Sequence, residues 1–299
     1  MSASSPVAAL GTGPGRRGPM RLIRRTAVTA WNDGVLGMAA QAAFWMTLSM
    51  PPLLLGLIGS LGFVAGWLGP VPVAAAEQEI VRLSSTAFTT DVVDRIIRPT
   101  VNGILAKGQG SLVSVGFVLS FWAGSTALAS LVDSITEAYR QHTVRNPVWQ
   151  RIFALLLYVA ALMASVVMLP LAALGPGLLL GLVDDSARPA LATVVGLLYY
   201  PVIGLLLTVG LATLYKIALP DKLPWHRGLP GALLAVVVFL VSSTGLRLYI
   251  AWVTSTGYTY GALATPIAML LGAFFIGLAV VLGAQFNNGI EELWPADGR

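Results

Sequence analysis

Apolar residues fill long uninterrupted windows of this chain, and polar ones collect in the short stretches between them. The longest window opens at Gly34, and no Asp, Glu, Lys or Arg follows until Glu77. A helix of that length in water would need a polar face, and this one has none. Residues 35–67 exceed the ~20 apolar residues that cross the hydrocarbon core of a bilayer, which predicts a long, tilted or broken first span. Further windows predict spans at about 110–133, 152–183, 190–215, 230–252 and 261–286. The expected fold class is all-α: a polytopic integral membrane bundle of six transmembrane helices, covering residues 20–292. Residues 1–19, rich in Gly, Pro and Ser, read as a disordered cytoplasmic tail, and 293–299 as a short cytoplasmic one. Residues 20–33 are basic, carry Trp31, and read as an interfacial helix feeding the first span.

One interval differs in kind. Residues 77–107 balance acidic and basic groups, with Ile80, Leu83, Phe88, Val92 and Ile96 at mostly helical spacings. That predicts an amphipathic outer segment, with a loop packed on itself as the alternative. A cleaved secretory signal is the alternative for the N-terminus, but the first apolar window is far longer than the 7–15 residues of a signal core and reads as an uncleaved span. Three spans precede and three follow Asp184, yet no residue pattern recurs between the halves.

Charge sets the orientation. With both ends in the cytoplasm, the inner connections hold twelve Lys or Arg against five outside, and Arg247 lies within a span. Trp31, Trp149, Trp225 and Trp294 fall at the inner interface, Trp67 and Trp252 at the outer. The net charge of +5 is thereby explained by topology and anionic lipid, so no nucleic acid partner is expected. The predicted place is the cell (inner) membrane.

Chemistry has little to build on. Only 10% of residues are charged, there is no cysteine, and His142 and His226 stand in no metal-ligand spacing. No nucleophile elbow, phosphate loop or zinc signature occurs, so no catalytic residue, metal or cofactor is expected. Four features remain. Pro51 and Pro52, following Ser49, remove two backbone donors and leave the carbonyls of Thr47 and Leu48 unpaired. Such a break can place polar backbone where transporters bind substrates, or serve only as a kink. Trp122, Ser125 and Thr126 put an aromatic and two hydroxyls in mid-span, either lining a cavity or letting helices approach. Arg247 is a functional candidate as an intramembrane charge, unless it snorkels towards Trp252. The inner carboxylates Asp33, Asp133, Glu137, Asp221, Glu291 and Glu292 could gather round a divalent metal, or act as solvated partners of arginines, as Glu137 would with Arg140 three residues on.

Several stretches together resemble the YihY/BrkB family of membrane proteins, formerly called ribonuclease BN-like. The likeness begins in the first span at Ala39-Ala40-Gln41-Ala42-Ala43-Phe44-Trp45 and Leu48-Ser49-Met50-Pro51-Pro52, with Trp45 where tyrosine is usual. It continues through Trp122, Ala138-Tyr139-Arg140, Tyr215-Lys216 with Pro220, Leu229-Pro230-Gly231-Ala232 and Tyr249. It ends with Tyr258-Thr259-Tyr260-Gly261 and Gly283-Ala284-Gln285-Phe286-Asn287, where Gln285 replaces a frequent glutamate. The resemblance implies a six-span inner-membrane protein with a transport or envelope role, and no catalytic residue to carry over. A transporter or lipid-handling protein is thus the leading expectation, with Ser49, Pro51, Pro52, Trp122, Ser125, Arg247 and Tyr260 as candidate substrate-binding residues. Its partners would be membrane lipids, with an anionic lipid or small solute as substrate. A membrane-bound metal-dependent nuclease or phosphoesterase, and a non-catalytic envelope scaffold, are the alternatives. The oligomeric state is left open.

Overall fold

The computed structural model describes residues 18–68, 94, 99, 110–141, 146–174, 188–255 and 261–295. Every regular element among the described residues is helical: α1 (Pro19–Asn32), α2 (Val35–Leu68), α3 (Gly110–Ala138), α4 (Pro147–Leu174), α5 (Arg188–Ala218), a 3₁₀ turn (Trp225–Gly228), α6 (Leu229–Ser255) and α7 (Gly261–Leu293). Five of them, α3 to α7, are long and apolar enough to cross a membrane. The uncharged α2 has 34 residues, about 51 Å at 1.5 Å per residue. The amphipathic outer segment expected at 77–107 lies outside the described residues, except for Asp94 and Pro99.

The break expected at Pro51–Pro52 takes the form of a proline pair inside one continuous helix. The physical reason is economy of damage. Two prolines delete only two hydrogen bonds, their fixed φ is compatible with a helix, and long helical arms on both sides hold the direction. Ser49, buried, donates its Oγ hydrogen to the Met46 carbonyl at 2.8 Å, one turn before the pair.

Packing follows the small residues. The α2–α3 pair is the most extensive, α7 lies across both, α6 packs on α7, α5 on α6, and α4 chiefly on α3. Ala39, Ala42 and Ala43 of α2, Ala123 and Ala127 of α3, and Ala279 and Ala284 of α7 are all buried. A Cβ on Gly277 of α7 would stand 3.1 Å from the Ala39 carbonyl oxygen. In lipid there is no hydrophobic drive to bring helices together, so close backbone approach and the dispersion it allows hold the bundle. Large apolar side chains point outward instead: Leu156, Met163, Leu197, Leu205, Leu233 and Val241 are all exposed. That inversion of the soluble pattern suits a hydrocarbon surround.

Polar groups tie the end of the bundle that holds α1, the end the charge pattern leads one to expect inside, called the inner end. α1 buries Leu22, Thr26 and Ala30, one helical face, and its principal neighbour is α7. Gly34, with φ +67°, turns the chain from α1 into α2, a conformation glycine adopts without steric cost. Deeper in, the fully buried Tyr215 of α5 donates its hydroxyl to the Val280 carbonyl of α7 at 2.8 Å. Tyr215→Phe is expected to cost about 1 kcal/mol, the net worth of one buried neutral hydrogen bond. Equilibrium unfolding in mixed micelles measures it.

Candidate functional site

Two polar regions stand out among the described residues. The first is a seam between α3 and α4. α4 starts earlier than expected, at Pro147, because Asn146 accepts the Val148 N–H with its side-chain oxygen at 2.9 Å and proline suits the first helical position. Gln150 and Arg151, expected in the inner loop, are therefore helical and face α3. Gln150 hydrogen-bonds the Asp133 carboxylate. Arg151 donates to Thr126 Oγ1 at 2.8 Å and approaches the Trp122 carbonyl at 3.4 Å. Farther from the inner end, Ser120 and Tyr158 share a hydrogen bond of 2.8 Å, and Gly124 leaves room for the Tyr158 ring.

Direction matters here. Thr126 stands twelve residues before Ala138, the end of α3, which is about 18 Å along the axis. Arg151 sits in the second turn of α4, and its guanidinium reaches away from the inner end of both helices. An arginine near an interface ordinarily snorkels towards water. This one is held inward by a hydroxyl and a carbonyl.

The second region closes the inner end of the bundle. Arg140, with φ +60°, ends α3 in a left-handed turn and donates to Asp33 Oδ1 at 3.2 Å. The Gln285 amide of α7 donates to Asp33 Oδ2 at 2.7 Å, while its own oxygen, also buried, has no partner among the described residues. The Glu137–Arg140 pair expected from their spacing does not form, since the left-handed turn carries Arg140 to Asp33. Arg227 pairs with Glu291, and Arg25 with Glu292. Asn287 accepts the Gly231 N–H at 2.7 Å, donates to the Gly228 carbonyl at 3.1 Å, and bonds the Tyr139 side chain. Burial pushes the Tyr139 phenol well above its ordinary value; the Asn287 bond opposes that and the nearby Glu291 charge adds to it. The carboxylates Asp33, Glu291 and Glu292 are thus spent on arginines from other elements. Among the described residues no three Asp, Glu or His side chains gather as a metal site would require. A cavity lined by Tyr139, Tyr215, Lys216 and Trp225 encloses about 10 Å³, room for one water.

The residues singled out from sequence are placed as follows. Trp122 is 54% exposed, its ring edge-on to Trp45 with centroids 5.4 Å apart, which joins α2 to the seam. Ser125 is buried and donates to the Trp122 carbonyl at 3.1 Å. Ser49, Pro51 and Pro52 belong to α2, the helix packed most closely on α3. Arg247 is exposed on α6, which packs on α7 and α5, so it is not brought to the seam. Tyr260 lies outside the described residues. Sequence reasoning missed Arg151 and Gln150. The Asn-Pro start signal was available and would have moved the helix start five residues earlier, from 152 to 147.

A chain of long helices with apolar exteriors, small-residue contacts and its polar groups turned into seams and one end is a multi-pass membrane protein. The family described as Virulence factor BrkB matches residues 26–299, and the chain belongs to that family. It is 23% identical over 253 residues to the ribonuclease-like protein YfkH of Bacillus subtilis (strain 168), covering 83% of this chain and 87% of that one. It is 24% identical over 267 residues to a UPF0761 membrane protein of Tolumonas auensis, covering 88% and 82%. No solved structure matches the chain.

Proposed function

We propose that this protein handles membrane lipid at its bilayer-facing surface, as a non-enzymatic carrier in the cell (inner) membrane. Six spans, α2 to α7, would cross the bilayer with both termini cytoplasmic, in keeping with the twelve-to-five excess of inner basic residues. The observation that carries the reading is the α3–α4 seam: a cation, a carboxylate and an exposed tryptophan on the outside of the bundle. A lipid carrier needs a polar track along its flank for the headgroup, with the chains left in hydrocarbon. Trp122 would lie on that track, with Ser125 bonded to its carbonyl and Ser49 on the neighbouring α2. The Pro51–Pro52 pair would give α2 the compliance to open it. Arg247 would meet anionic headgroups at the outer end, where an arginine forks onto phosphate, and Tyr260 remains a candidate from the sequence.

Transfer of labelled phospholipid by the purified chain in proteoliposomes tests this. Trp122→Ala is expected to slow transfer about tenfold, the effect of losing roughly 1.4 kcal/mol of orientation. Transfer no faster than in empty vesicles would sink the reading. A cytoplasm-dependent reporter fused to Arg299 should be active; a silent one overturns the orientation.

A further inference from the structure

The seam holds two opposite charges that do not pair with each other. Arg151 is satisfied by Thr126 and by the Trp122 carbonyl, both neutral, and is exposed. Asp133 is satisfied by the neutral Gln150 amide and is also exposed. Among the described residues neither charge has an ionic partner. Thr126 and Asp133 lie seven residues apart, two turns along one face of α3 and about 10 Å. Glu137 continues the same face one turn nearer the inner end. Charges left unpaired against a low-dielectric surround are costly, and the cost falls when a counter-charge arrives.

We propose that this seam binds the zwitterionic headgroup of an aminophospholipid, with Arg151 on the phosphate and Asp133 on the ammonium. The assignment rests on the lipid-handling reading and deepens it by naming the headgroup. Its polarity follows from the helices: Arg151 reaches towards the middle of the bundle, and Asp133 lies nearer the inner end. An anionic lipid without an amine would satisfy Arg151 but leave Asp133 and Glu137 facing a second negative charge. A quaternary amine would bring the right charge but no N–H for the Asp133 carboxylate, which as an ionised acceptor takes up donors. Phosphatidylethanolamine offers both. Trp122, exposed beside Thr126, would pack on the glycerol and the start of the chains.

Native mass spectrometry of the full chain released from nanodiscs separates these lipids by mass. The nanodiscs carry equal amounts of phosphatidylethanolamine, phosphatidylglycerol and phosphatidylcholine. The wild type is expected to retain phosphatidylethanolamine about tenfold over either competitor, the scale of one charge-assisted hydrogen bond. Arg151→Gln should lose retention of all three about tenfold, and Asp133→Asn should keep retention while losing the preference. Arg151→Lys, which keeps the charge, and Thr126→Val, which frees the guanidinium to leave the seam, serve as further readings should Arg151→Gln not fold. The lysine variant should retain most of the lipid, and the valine variant should lose it severalfold. Equal retention of the three lipids by the wild type would overturn the proposal. So would unchanged preference in Asp133→Asn, or displacement by millimolar inorganic phosphate, which would make this a free-anion site. Retention is read without transport, so selective binding with no transfer activity refutes the carrier and leaves the headgroup assignment standing.

Discussion

Gly231→Ala should uncouple α6 from α7 and cost about 3 kcal/mol, the upper end of what overpacking a well-filled contact does. A Cβ at that position would overlap the Gly283 carbonyl oxygen and stand 2.5 Å from the Asn287 side-chain amide. Neither obstacle can retreat. The carbonyl is helix backbone, and the amide is held between the Gly231 N–H and the Gly228 carbonyl. From the other side, a Cβ on Gly283 would overlap the Gly231 carbonyl oxygen and the Tyr215 hydroxyl, which is fixed on Val280. The two glycines are therefore a reciprocal contact, and three helices meet there. Gly245→Ala is the control on the same helix: nothing stands within 4 Å of its Cβ, and stability should change by less than about 1 kcal/mol. Unfolding by SDS titration from mixed micelles ranks the two. Equal stability of both variants would mean that the crossing is not held as closely as described.

The hydrophobic pattern was enough to read the helices, because in a bilayer the requirement is length and lack of charge rather than a fine period. Five of the described helices, α3 to α7, are long and apolar enough to cross a membrane, and α1 forms where its arginines and Trp31 suggested an interfacial helix. The ends were less legible. α7 runs to Leu293, past the expected limit at 286, because its last turns bury Asn287 and Asn288 against neighbours instead of exposing them. Polar residues at a helix end look like a loop when only their polarity is read.

The site was legible in part. Trp122, Ser125 and Thr126 stood out as polar groups in an apolar run, and the seam passes through them. Arg151 did not, since an arginine near a tryptophan-bearing inner loop is the commonplace signature of topology. Which way its side chain runs is decided by where α3 offers an acceptor, a tertiary fact that spacing along one helix does not encode. The same holds for Arg140. Its spacing from Glu137 suggested a local pair, while the left-handed turn at the end of α3 sends it to Asp33, 107 residues away in sequence.

Asp33→Ala is expected to be among the most damaging substitutions in the protein, costing about 3 kcal/mol, because two partners lose their acceptor at once. The Asp33 side chain is 9% exposed, whereas Arg140 is 58% exposed and can recover water, so most of the loss falls on Gln285. That residue is 2% exposed, and its oxygen has no partner among the described residues. Removing Asp33 strands the amide as well, leaving a buried carboxamide without a partner among the described residues. Gln285→Leu makes the opposite trade. It gives up the 2.7 Å bond to Asp33 but also removes the unpartnered oxygen, and should cost about 1 kcal/mol or less. The double variant separates the terms: once Gln285 is leucine, Asp33→Ala should cost about 1 kcal/mol, the share owed to Arg140. A glutamate, which the family resemblance leads one to expect at position 285, would set a second carboxylate against Asp33 where this chain has a donor. In this chain Asp33 is therefore the acceptor that fastens α1, α3 and α7 together. A double variant no more stable than Asp33→Ala alone would show that Gln285 is not what the carboxylate holds.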